Sequence, residues 1–187
     1  MMIGPWHEAY PSAKVIGPEG LPEKRQKQNN ENVPFATLFS AQNKHDIRVD
    51  PAFDAEFEYE FVDGHANKEL VFFHKPDQTL IEADLMFNLP ATEQFSKEPG
   101  VSAESGYLTK LFTSLNNTRG TANAQKRFIW HAISVGNRSS FNQSIARIDK
   151  WNFNKVIPCH GDVIEQDGKG IFQKVFEWHL AAAKQSS

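Results

Sequence analysis

Three polar residues of this sequence each stand at the end of an apolar run, next to a turn. They are His65, Asp84 and His160. Loops at strand ends commonly carry functional residues. Imidazole nitrogens and carboxylate oxygens are ligands that zinc, iron and manganese accept. We therefore predict that the three side chains converge at one end of a sheet, where they could bind a metal ion.

Each of the three residues also has an ordinary structural interpretation. A single histidine more often makes structural hydrogen bonds than it binds a metal, and a buried aspartate can accept backbone N–H groups in a turn. His160-Gly161-Asp162 is equally consistent with a turn that ends a strand. The residues alone leave both interpretations open.

Two neighbouring residues are candidates for supporting roles. Asp162 could orient the His160 ring, as carboxylates commonly do beside metal-bound histidines. His74 follows the apolar run 70–73 and could approach the same site. Cys159 adjoins His160, but adjacent residues of a strand point to opposite faces, so a Cys–His nucleophile is not favoured.

The elements that must position these residues follow from the spacing of apolar side chains. Alternating apolar and acidic residues over 53–62 predict a strand with one buried and one wet face. The runs 70–73 and 79–87 flank a Pro-Asp turn and predict a hairpin. A short strand over 155–157 precedes His160.

Helical spacing dominates the second half of the chain. It predicts helices around 108–115, 128–133 and 171–180, and another that a Ser140–Gln143 capping box opens. Near the amino terminus we predict a short strand at 13–18 and a short helix that begins at Pro22. This order gives an α/β or α+β fold class, with a mixed β-sheet covered by helices.

Composition excludes several classes of protein. A length of 187 residues predicts a single domain over 1–187. The net charge is −3, without the basic excess of a nucleic-acid-binding protein, so we expect no nucleic-acid partner. The single cysteine, Cys159, excludes an internal disulfide framework. The sequence has no long apolar segment and no signal peptide, so we expect a cytoplasmic protein without membrane association.

Taken together, the segments that carry the three residues resemble the metallo-β-lactamase-like superfamily. Segment 64–73 resembles the Gly-His segment of that family, and 79–87 its strand that ends in a metal-bridging aspartate. Segment 154–162 resembles its Pro-Gly-His-Gly segment, with Cys159 in place of the usual glycine. The resemblance runs from about residue 5 to residue 180. A largely fungal and bacterial branch of the family is resembled more closely, through Trp6 with Ala9-Tyr10-Pro11, segment 15–21 and segment 84–88.

The resemblance implies a partial metallo-β-lactamase-like sandwich and a hydrolytic site. In that family a metal-bound hydroxide attacks an ester, lactam, thioester or phosphoester bond. By carry-over, His65 would bind one metal, His160 the other, and Asp84 would bridge them. The implied metal is zinc, with iron or manganese as alternatives.

One departure from the family pattern limits what the resemblance implies. The family motif His-x-His-x-Asp-His is not found, and His7 in its Pro5-Trp6-His7-Glu8 context does not supply it. We therefore expect an amino-terminally shortened domain with a weak or absent metal site. The missing strands would leave an exposed sheet edge and an apolar face, which a homodimer or swapped oligomer would cover. The alternative is that Trp6, Tyr10 and segment 35–39 fold back over that face.

Three hypotheses about function remain, and the sequence leaves it uncertain whether the protein is an enzyme. The first is a divergent metallo-β-lactamase-like protein with little or no hydrolase activity, acting through binding or self-association. The second is a metal-dependent hydrolase that completes its site across a dimer or with unusual ligands. The third is a part of a longer enzyme.

Overall fold

The structure, a computed structural model, describes residues 3–30, 32–97 and 100–185. The chain divides into two compact units, Met1–Ala55 and Glu56–Ser187. The single-domain organisation over 1–187 stays a prediction. No helix in the described ranges is long and apolar enough to cross a membrane.

The first unit contains short helices and one small sheet. Its elements are α1 (Ile3–Ala9), β1 (Ile16–Pro18), α2 (Leu21–Lys27), β2 (Thr37–Phe39) and most of α3 (Pro51–Glu56). Strands β1 and β2 pair in parallel, with Gly17 opposite Leu38. Pro22 lies in the first turn of α2, where its fixed φ suits a helix start, and this confirms the predicted helix.

The second unit is built on a four-stranded mixed sheet. Its strands are β3 (Phe57–Val62), β4 (Glu69–His74), β5 (Thr79–Ile81) and β6 (Lys155–Ile157), in that spatial order. The pairs β3–β4 and β4–β5 are antiparallel, whereas β5–β6 is parallel. This confirms the mixed sheet and the predicted hairpin.

Five helices and one π-helical turn belong to the same unit. They are α4 (Tyr107–Leu115), α5 (Asn123–Phe128), the π-helical turn Ile129–Ile133, α6 (Arg138–Ile148), α7 (Gly168–Val175) and α8 (Glu177–Gln185). Val71 and Leu80 from the sheet share one buried core with Phe141, Ile145 and Phe172 from the helices. The α/β fold class, a mixed sheet covered by helices, is therefore confirmed.

The structure corrects the prediction of one strand over 53–62. The residues up to Glu56 lie in α3, and the strand begins at Phe57. Glu60 does not lie on a wet face, because α6 covers it and the Ser144 hydroxyl donates to its carboxylate at 2.6 Å. A period-two pattern shows which residues share a face, but it does not show which face a helix will cover.

The start of α6 differs from the predicted capping box. Asn137 is the residue before the helix, and its side-chain oxygen accepts the Ser140 N–H at 3.1 Å. The Ser140 hydroxyl instead donates to the Asp63 carboxylate at 2.7 Å. The helix therefore begins at Arg138, two residues before Ser140, and is tied to the turn that precedes His65.

Candidate functional site

The candidate site centres on residues 82–88, which leave the sheet after β5. The prediction of a strand through Phe87 is therefore wrong beyond Ile81. Glu69, the first residue of β4, holds the start of this segment. Its two carboxylate oxygens accept the N–H groups of Ala83 at 2.7 Å and Asp84 at 2.9 Å. These hydrogen bonds replace the strand-to-strand hydrogen bonds that a longer β5 would have made.

A second carboxylate holds the next two residues of the segment. One oxygen of Glu82 accepts the N–H groups of Leu85 at 2.8 Å and Met86 at 3.3 Å. Both of these residues are fully buried. Four consecutive backbone N–H groups are thus satisfied by two glutamates, which fixes the path of the chain on either side of Asp84.

The end of the segment is tied to α5 and to the turn that carries His160. Gln125 accepts the Phe87 N–H at 2.6 Å and donates back to the Phe87 carbonyl at 3.0 Å. The Asn88 N–H donates to the His160 carbonyl, and the Asn88 carbonyl accepts the Asp162 N–H. The Asp84 and His160 turns are therefore held side by side by backbone bonds, and these turns carry two of the three residues that the sequence predicts to converge.

Two glycines allow the turns to approach so closely. A methyl group at Gly64 would lie 2.4 Å from the Asn137 carbonyl oxygen, and one at Gly161 would lie 2.2 Å from the Asn88 carbonyl oxygen. Gly161 also has a φ of +120°, a backbone conformation that residues other than glycine rarely adopt. The glycines beside His65 and His160 thus have a packing explanation that involves no metal.

His65 is buried, with 2% of its surface exposed, and both of its ring nitrogens are engaged. Nδ1 accepts the Asn67 N–H at 3.1 Å, so the ring proton lies on Nε2, which donates to the Asp84 carbonyl at 3.1 Å. Burial lowers the pKa of His65, because a buried site disfavours the charged imidazolium. In this arrangement the ring has no free lone pair to offer a metal.

Asp84 and His160 form a polar pair at the surface. His160 Nε2 lies 3.0 Å from Asp84 Oδ1, with about half of the His160 side chain exposed. The Asn67 amide donates to the other Asp84 oxygen at 2.7 Å. The His160 ring stacks on Phe87, with centroids 5.6 Å apart. Asn67 therefore holds the aspartate of the pair, Phe87 packs against the histidine, and both side chains stay partly exposed.

The two predicted supporting residues lie elsewhere. The Asp162 carboxylate accepts the Thr92 hydroxyl and the Glu93 N–H, so it holds segment 92–93 rather than the His160 ring. His74 lies opposite Thr79 at the hairpin end of β4, five residues and roughly 17 Å along the strand from Glu69. Its Nδ1 lies 3.0 Å from Asp77. The structure thus brings the side chain of neither residue to the His160 ring.

Burial dominates the electrostatics beneath the pair. It raises the pKa of Glu69 to about 7, although the N–H groups that this carboxylate accepts oppose the rise. It also raises the pKa of Glu82 well above its usual range, and the neighbouring Glu69 adds to that effect. The second oxygen of Glu82 is buried without a hydrogen-bond partner among the described residues. The acidic residues beneath Asp84 thus lie in a dry, low-dielectric environment.

Comparison with known proteins gives a likeness of structure. A crystal structure of the DIM-1 metallo-β-lactamase exposed to ceftazidime matches with a TM-score of 0.47 and 14% sequence identity. The match covers 97% of this chain and 63% of that chain, so this chain spans less than two thirds of that protein's length. No family model matches the sequence. No curated protein matches it either. A likeness at this level does not assign the chain to a family.

The donor atoms do not fit the metal that the sequence resemblance implies. Within the parts of the chain that the structure describes, no group of three or more His, Cys, Asp and Glu side chains is arranged to hold a metal ion. Structural zinc sites take four protein ligands and catalytic ones take three. Of the trio, only Asp84 and His160 reach the surface, and they contact each other. Metal binding by His65, Asp84 and His160 stays a prediction. Such binding would require that the contacts of these three side chains rearrange.

Sequence reasoning missed the residues that hold the segment, namely Glu69, Glu82, Asn67 and Gln125. One signal was present, because Glu82 and Asp84 are the two charged residues in the run 80–87, which is otherwise apolar. A charged residue in such a run indicates one of two things. Either the run is not a strand, or the charged group is buried and makes hydrogen bonds to the backbone. Which N–H groups it accepts depends on the turn after Ile81, and the sequence pattern did not reveal that turn.

The two glutamates should respond differently to conversion to glutamine. Glu69→Gln replaces one of two accepting oxygens by an N–H₂ donor, so an N–H of Ala83 or Asp84 loses its acceptor. We expect a loss of about 2 kcal/mol in the free energy of unfolding. Glu82→Gln keeps the one oxygen that accepts both N–H groups, and we expect a change below about 1 kcal/mol.

Urea unfolding of both variants at pH 8, followed by circular dichroism, measures this difference. The parent protein provides the reference slope and midpoint. A loss below about 1 kcal/mol in both variants would show that the second Glu69 hydrogen bond contributes nothing.

Proposed function

We propose that this chain is a divergent metallo-β-lactamase-like protein without hydrolase chemistry, which acts through binding or self-association. The observation that carries the proposal is the engagement of both His65 nitrogens by backbone groups of Asn67 and Asp84. A metal-bound hydroxide needs about three protein ligands around its metal. His65 supplies none while it holds these bonds.

The residues that resemble metal ligands have a structural task instead. His65 and Asn67 hold the Asp84 turn from one side, and His160 holds it from the other. Together they join three chain segments that are far apart in the sequence. This task accounts for the residue types at these positions without a catalytic role.

A self-associating role is supported by apolar side chains that the second unit leaves exposed. Most of these side chains belong to α4. Contiguous exposed apolar surface of this kind commonly marks a site of protein contact.

Metal analysis with a hydrolysis screen tests the proposal. We expect less than about 0.1 equivalent of zinc, iron or manganese per chain after dialysis against the metal, because the catalytic minimum is three protein ligands. We also expect no hydrolysis of ester, thioester or phosphoester substrates above the rate of buffer alone. His160→Ala should change neither result, and it should cost less than about 1 kcal/mol, because the pair is partly exposed.

The opposite outcome would establish the alternative function. Near-stoichiometric metal, with hydrolysis that disappears together with the metal in His160→Ala, would make the protein a metal-dependent hydrolase. Circular dichroism of the variant is the control, because a loss of fold would remove both properties without a role for the ring.

A further inference from the structure

Helix α4 presents an apolar face to solvent. The face consists of Tyr107, Leu108, Leu111, Phe112 and Leu115, which we call the α4 face. Their exposed fractions are 80%, 77%, 45%, 48% and 45%. At 3.6 residues per turn, the five positions fall within an arc of about 140° on one side of the helix.

The apolar stripe of α4 faces solvent, whereas the stripe of a surface helix usually faces the core. In α4 the residue opposite the stripe, Thr113, is buried, and its hydroxyl donates to the Lys110 carbonyl. In the described parts of the chain, α4 makes no extensive contact with another helix or strand. The helix is attached instead through its carboxyl end, where the Leu89 N–H donates to the Asn116 carbonyl.

We propose that the α4 face pairs with the same face of a second copy of this chain across a two-fold axis. The inference rests on the self-associating role proposed above and names its surface and partner. The five side chains expose on the order of 600 Å² of mostly apolar surface, at the upper end for a monomer. A standard interface buries about 800 Å² per partner, so pairing of the face with its immediate surroundings reaches the size of a stable dimer.

The charge on the helix favours a copy of the same chain over other partners. Lys110 is the only charged residue in α4, and it lies outside the arc of the α4 face. Helices that lie on membranes carry several Lys or Arg residues on their polar side, and α4 does not. A face without charge has no complementary ionic partner to select, whereas leucine and aromatic side chains pack well against their own kind.

The α4 face also adjoins the candidate site. The Phe112 ring meets the Phe87 ring edge-on at 6.3 Å, and Phe87 stacks on His160. A second copy seated on the α4 face would therefore lie beside the Asp84–His160 pair.

Analytical ultracentrifugation of the whole protein over a range of concentrations tests the proposal. The parent should dissociate reversibly from dimer to monomer on dilution. Leu108→Glu should raise the dimer dissociation constant about 100-fold, because a two-fold interface carries the buried charge twice. Val135→Glu is the matched control, since Val135 is also exposed, at 64%, but lies outside the α4 face. Circular dichroism should give both variants the spectrum of the parent.

Cross-linking provides a second, independent measurement. Leu111 lies at the middle of α4, so Leu111→Cys in a Cys159→Ser background should form a disulfide-linked dimer under mild oxidation. Val135→Cys in the same background should not, because Val135 is exposed but lies outside the α4 face.

Three outcomes would overturn the proposal. These are a parent that stays monomeric at all concentrations, a dimer that Leu108→Glu and Val135→Glu weaken equally, and a monomer that floats with vesicles of anionic phospholipid. The zinc and hydrolysis results test the absence of hydrolase chemistry separately, so either conclusion can fail while the other holds.

Discussion

Gly64→Ala should destabilise the second unit by at least about 3 kcal/mol, the upper range for overpacking, because the atoms it meets are backbone atoms. The added methyl group would lie 2.4 Å from the Asn137 carbonyl oxygen and 2.5 Å from the Phe141 amide nitrogen. Neither atom can move without displacing the first turn of α6. The same shift would disturb His65, which follows Gly64 directly.

Thermal unfolding measures this effect, and Gly136→Ala is the matched control. A methyl group at Gly136 meets no atom within 4 Å, and its backbone is not in the left-handed region. We expect the control to be neutral or up to about 1 kcal/mol more stable, since alanine restricts the unfolded chain. For a chain of this size, the Gly64 variant should melt roughly 10 °C below the parent. Similar melting temperatures for the two variants would refute the close approach at Gly64.

His179→Phe should change how stability depends on pH, because His179 is buried among aromatic rings. Its ring centroid lies 4.7 Å from that of Phe141 and 4.8 Å from that of Trp130. Nδ1 lies 2.7 Å from the Asn142 side-chain oxygen, whereas Nε2 has no hydrogen-bond partner among the described residues. Burial, with a smaller contribution from the Arg138 charge, lowers the pKa of His179 to about 4.

The sign of the effect follows from proton binding. As pH falls below the ordinary histidine pKa of about 6.5, the unfolded chain binds a proton that the folded protein excludes until about pH 4. The parent therefore loses about 3 kcal/mol through this residue between pH 7 and pH 4, and His179→Phe avoids that loss. The readout is the difference in unfolding free energy between variant and parent, measured at several pH values.

This difference removes the contributions of other groups. Glu69 acts in the opposite direction over an overlapping range, because its raised pKa lets the folded protein bind a proton first. A constant difference between variant and parent from pH 7 to pH 4 would show that His179 titrates alike in the folded and unfolded states.

The fold class was predictable because it depends on apolar spacing, a local property of the sequence. The hairpin β4–β5 was predicted from the run 70–73, the Pro-Asp turn and the run beginning at Thr79. The start of α2 was predicted from Pro22. Each of these elements follows from residues within one turn or one strand. No contact with distant parts of the chain was needed.

The exceptions arose where distant contacts override local preference. Glu60 alternates with apolar residues as a wet strand residue would, yet α6 brings Ser144 over it. Residues 82–87 are apolar enough for a strand, yet Glu69 and Gln125 supply the bonds that let them leave the sheet. Ser140 has the form of a helix cap, but the Asp63 carboxylate takes its hydroxyl. In each case the partner lies more than a dozen residues away, where periodicity carries no information.

By itself, the sequence determined that His65, Asp84 and His160 stand at turns after apolar runs, because hydrophobic spacing places turns. Whether these side chains serve a metal or the backbone was decided only by the tertiary structure. The donor atoms of a histidine or an aspartate suit either partner equally well. Here the folded chain brings N–H and carbonyl groups within 3.1 Å of the His65 ring, and burial makes those bonds costly to leave unformed.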